Sequence, residues 1–82
     1  MNQKKKKVIL PLHKKRLAYI ATMLTEMRLS DGRIQSDFAE FGISRRQIQR
    51  GEELGSNLSL ISLFKLLDIY GYRLDEFFEG ME

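Results

Sequence analysis

Residues 44–50, Ser-Arg-Arg-Gln-Ile-Gln-Arg, place three guanidinium groups and two carboxamides around one apolar side chain. On a helix that turns about 100° per residue, an inward Ile48 sends Arg46 and Arg50 roughly 160° away on either side, stacked at i and i+4. Gln47 and Gln49 flank them at roughly 100°, and Arg45 reaches forward from the first turn. Arginine and glutamine are the side chains that pair bidentately with guanine and adenine edges in a major groove, and both also grip phosphate. Such a face can equally be a solvated surface with no ligand. The segment before it and the charge of the chain weigh toward DNA.

That segment contains a turn between two short helices. Ile34, Phe38 and Phe41 fall at i, i+4 and i+7 and predict a helix of two turns over 33–41. Gly42 follows as a pivot able to adopt a left-handed conformation, and Ser44 is a good N-cap for a helix over 44–50. Two short helices across a tight turn form the helix-turn-helix pattern. Upstream, Leu17, Ile20, Ala21, Leu24 and Met27 mark an amphipathic helix over 13–28. Ser30-Asp31-Gly32 breaks it and offers Asp31 as the next cap. Downstream, Leu60, Leu63, Phe64, Leu67 and Tyr70 predict a central helix over 59–70, closed by Gly71, and Leu74 to Phe78 begins a last one over 74–79. The predicted core is Leu17, Ile20, Leu24, Phe38, Ile48, Leu60, Leu63, Leu67 and Phe77, in an all-α, five-helix domain over 13–82. Residues 1–12 are expected to form a basic arm and a short apolar lead-in, Val8 to Leu12, seated at a dimer contact or on the last helix.

Composition narrows the function. The 82 residues carry a net charge of +3, which hides a division: 1–50 hold twelve Lys/Arg against four Asp/Glu, whereas 51–82 hold two against seven. A basic half with an acidic end suits a polyanionic partner. The chain has no cysteine, so disulfides and thiolate metal sites are excluded. The lone histidine, His13, stands among lysines and reads as solvated. Lys4 to Lys7 before Val8-Ile9-Leu10 resemble the opening of an export signal, but the apolar run is too short, and no stretch is long enough to span a bilayer. A cytoplasmic location without membrane contact is expected. No nucleophile with a neighbouring base, glycine-rich phosphate loop or ligand cluster supports an enzyme, and no cofactor is implied.

Together these residues resemble the Cro/repressor-type (xenobiotic-response-element-type) helix-turn-helix family, whose domain is the compact lambda-repressor-like fold. The resemblance runs from Gln35 to Phe78 through Ala39, Gly42-Ile43-Ser44, Arg45 to Arg50, Asn57-Leu58-Ser59-Leu60, Leu63-Phe64-Lys65, Gly71 and Leu74-Asp75-Glu76-Phe77-Phe78. It implies that Gln35 touches phosphate, that Ser44 opens the recognition helix, and that Arg45, Arg46 and Arg50 meet bases with Gln47 and Gln49 at the margin. It further implies that the Asn57 loop donates to the second phosphate strand; separately, the run of like charges Lys4, Lys5, Lys6 and Lys7 reads as a basic arm that meets phosphate. Gly51 stands where the family has a bulky apolar anchor, so the recognition helix is expected to stop at Arg50. The chain is one residue short between Ala39 and Gly42, so helix two is expected to end early. The function implied is a sequence-specific, double-stranded-DNA-binding transcriptional regulator, bacterial or from a mobile element, acting as a homodimer. The alternative on the same fold is the protein-binding antitoxin half of a toxin–antitoxin pair.

Overall fold

The computed structural model describes residues 10–53 and 58–81 and is all-helical among them. Helix α1 spans Pro11–Ser30, a 3-10 helix spans Gln35–Phe41, and helices α2, α3 and α4 span Arg45–Glu52, Leu60–Tyr70 and Leu74–Phe78. α2 packs against both α1 and the 3-10 helix.

α1 starts two residues before, and ends two residues after, the expected 13–28. Pro11 occupies the first turn, where its fixed φ suits the helix and its missing N–H goes unneeded. The end of the expected lead-in is therefore helical. Leu10 and Leu12 are exposed, so they do not pack on the last helix, and Val8 and Ile9 lie outside the described residues. Asp31 does not cap the next helix; its carboxylate pairs with Arg33 instead. The cap comes from Asp37, which accepts from the Ile34 N–H at 2.8 Å.

The second element is helical but wound as a 3-10 helix. At about 2.0 Å rise per residue against 1.5 Å, seven residues cover roughly 14 Å instead of about 10 Å, which offsets the missing residue before Gly42. The winding also changes which side chains align. With three residues per turn the inner row is Gln35, Phe38 and Phe41. Phe38 is fully buried and Gln35 half-buried, while Phe41 at the end of the row and Ile34 before it are exposed. Gly42, at φ 80°, closes the element in the left-handed region, with its own N–H donating to Ala39 and the Ile43 N–H to Phe38.

The core joins Leu24, Met27, Phe38, Ile43, Ile48, Leu63, Leu66, Leu67 and Phe77, with Ile20, Met23 and Leu58 packed against it. Leu60 does not belong to it: α3 turns Ser62, Leu63, Leu66 and Leu67 inward and leaves Leu60 and Phe64 exposed. α3 is apolar nearly all round, so stripes one residue apart satisfied the same period. Ser62 is tolerated inside because its hydroxyl accepts from Ser59 at 3.0 Å. Tyr19 ties α4 to α1 through a 2.7 Å hydrogen bond to the Phe77 carbonyl, and the two rings meet edge to face.

Candidate nucleic-acid interface

α2 is held from both ends and from behind. At its start the Ser44 Oγ accepts from the Gln47 N–H at 3.2 Å, and the Gln47 Oε1 accepts from the Ser44 N–H at 2.9 Å. This reciprocal cap satisfies two backbone donors that the helix leaves open. It also occupies the Gln47 carbonyl oxygen, so Gln47 is a structural residue of the helix start before it can be a reader. Behind the helix, Ile48 is 2% exposed and sits in the core.

The helix does not stop at Arg50. It continues through Gly51 to Glu52 because Gly51 faces inward at a close approach. A Cβ there would stand 3.1 and 3.3 Å from the two Leu58 methyls and 3.6 Å from a Leu24 methyl. The absent side chain lets Leu58 close on α2, with Leu24 of α1 at ordinary contact distance. Glu52 then enters a nearly closed ion pair. Arg28 of α1 donates Nε to Oε2 at 2.7 Å and Nη2 to Oε1 at 3.0 Å, and its Nη1 donates to the Arg33 carbonyl at 2.9 Å. The two side chains are only 11% and 8% exposed. Gln35 adds a third donor to Oε1 at 3.2 Å. The hydrogen bond to Glu52 raises the Arg28 pKa above its ordinary value, against the opposing effect of burial. Beside this group, burial pushes the Tyr70 phenol up to about 12.

Four predicted reading residues share the outer side. Arg45, Arg46, Gln49 and Arg50 are all exposed. Arg28, Arg33 and Arg73 are each held by an acidic neighbour. Among the described residues no such partner holds Arg45, Arg46 or Arg50. Gln35 is not laid out toward solvent as expected; its amide is drawn inward to Glu52 by the 3-10 winding. Asn57 and Lys4 to Lys7 lie outside the described residues. Lys65 on α3 was not foreseen here, yet its Nζ comes to 3.8 Å from where a Gly42 Cβ would stand, setting a further cation beside the turn.

Arg28 and Glu52 were also missed, although their spacing held the signal. Arg28 continues the Ala21–Leu24 stripe at i+7 and i+4, and Glu52 lies one turn after Ile48. Two charges of opposite sign on inward stripes need each other. Among the described residues no helix is long and apolar enough to cross a membrane. No protein-family model, curated protein or solved structure matches this chain.

Proposed function

We propose that this chain is a sequence-specific DNA-binding transcriptional regulator whose helix-turn-helix is the 3-10 helix, the Gly42 turn and α2. The observation that carries the reading is the division of α2 into two sides. Ile48, Gly51 and Glu52 fix the inner side against α1 and the core, while Arg45, Arg46, Gln49 and Arg50 stand outward with no acid paired to them among the described residues. A rigid helix presenting free guanidinium groups suits a groove lined with acceptors and phosphates. Lys65 extends the positive surface to the turn. One helix of eight residues reads few base pairs, so two copies would meet two half-sites.

The test begins with selection of a binding site from a random duplex library, followed by gel shifts on that site and on random DNA. With about six to ten phosphates met by two copies, the log–log salt slope should be roughly −5 to −9. Arg46→Ala and Arg50→Ala should each cost about 1–3 kcal/mol on the selected site and much less on random DNA. Removing Lys4 to Lys7 should weaken all sequences alike and flatten the salt slope, since a charged arm reads phosphate and not base edges. If no variant loses anything, the outer side of α2 is a solvated face. The protein-binding antitoxin reading then replaces this one.

A further inference from the structure

We propose that the outer face of α3, with the start of α4, is where a second copy of this chain docks. This deepens the regulator reading, from which it takes the need for two copies.

Ten large apolar side chains are exposed among the described residues, and five of them lie here: Leu60, Ile61, Phe64, Tyr72 and Leu74. Single exposed apolar residues are ordinary, but a cluster is not. Its two halves differ in shape. At the first turn of α3, Leu60 and Ile61 protrude, 68% and 62% exposed. Further along, Phe64, Leu67, Tyr72 and Leu74 line an open groove of about 630 Å³. A knob and a hollow on one patch, roughly two helical turns apart, are self-complementary about a two-fold axis near Phe64. Antiparallel crossing of two α3 helices seats each Leu60–Ile61 pair in the other copy's groove.

Charge and area agree. The groove is edged by Asp68 and by the Arg73–Asp75 ion pair, which satisfies its own charges at 2.9 Å, so the rim adds little net charge to oppose a second copy. The outer side of α2 is uniformly positive and would repel its own copy. The five side chains offer on the order of 500 Å² of apolar surface, at the upper end for a monomer's patch and about two thirds of the ~800 Å² per partner of a standard interface. The polar rim supplies much of the remainder. Such an interface corresponds to a modest, micromolar dimer.

The experiment is sedimentation of the full chain without DNA at about 100 μM, far above a micromolar Kd. Wild type should sediment at twice the 9.6 kDa chain mass. Ile61→Glu and Leu74→Glu, both at exposed positions, should be monomers with unchanged helical circular dichroism, whereas Leu12→Glu on α1 should stay dimeric. A monomeric wild type, or dimers that survive both α3 and α4 variants, or dissociation by Leu12→Glu alone, overturns the proposal. The two readings separate on DNA. Ile61→Glu should bind an isolated half-site like wild type but lose at least about tenfold on the full palindrome. A dimer broken by Ile61→Glu that binds no DNA keeps this interface and removes the regulator reading. A wild-type monomer that binds half-sites does the reverse.

Discussion

Glu52→Ala should be strongly destabilising. The substitution removes the acceptor of three side-chain hydrogen bonds, two from Arg28 and one from Gln35. The Arg28 guanidinium, 11% exposed, would keep only the Arg33 carbonyl. Removing one partner of a buried ion pair costs about 3–5 kcal/mol, because the other charge is left without compensation. A chain of 82 residues has about 4–12 kcal/mol of total stability, so the loss takes a large part of it. Arg28→Met/Glu52→Leu should behave differently, since replacing both charges by apolar groups of similar size is near neutral or stabilising. Urea melts followed at 222 nm, with the denaturant slope held constant between variants, read both values. Arg28 stays charged throughout. A base with a raised folded pKa stabilises below its ordinary unfolded value, and loses that contribution only above it. The double variant carries the functional question. If the ion pair fixes the aim of α2, the variant should fold and yet lose discrimination between selected and random DNA. A cost below about 1 kcal/mol for Glu52→Ala would refute the reasoning, since that is the range of a solvated pair.

Gly51→Leu separates the resemblance from the structure. A family-like anchor at this position would be expected to stabilise, whereas the 3.1 Å approach of Leu58 leaves no room even for a Cβ without a shift. The cost should be about 1–3 kcal/mol from overpacking, read in the same melts, and a gain would contradict the close approach of Leu58 to α2. Tyr70 governs the alkaline limit. Its phenol is held neutral up to about 12 against an ordinary 10, so its stabilisation is complete below pH 10 and lost as pH rises toward 12. After discounting for partial exposure the loss is about 1–2 kcal/mol. Spectrophotometric titration should show a late phenolate that Tyr70→Phe abolishes, and a transition near pH 10 for that phenol would count against its burial.

Most of the fold could be read from the sequence because its elements are bounded by residues with one conformational reason to be there. Gly42 and Gly71 both take positive φ at the ends of their helices, Ser44 and Ser59 both cap the helices that follow, and Ile48 is inward as its isolation among polar neighbours requires. The errors arose where two arrangements satisfy one pattern. On α3, apolar residues nearly all round allowed a stripe through Leu60 as readily as one through Leu66. Before Gly42, a spacing of i, i+4, i+7 suggested an α-helix, while winding at three residues per turn turned Ile34 out and Gln35 in. That single change of winding links the fold to the candidate site. Gln35 leaves the solvent for Glu52, and Glu52 in turn holds Arg28, so three polar residues on three elements fasten the back of α2. Periodicity ranks residues by apolarity and is silent on charges that are buried only because they meet. What remains on the outer side of α2 is Arg45, Arg46, Gln49 and Arg50, exposed and with no side-chain hydrogen bond or ion pair among the described residues, which is why the proposed anionic, grooved partner is sought there.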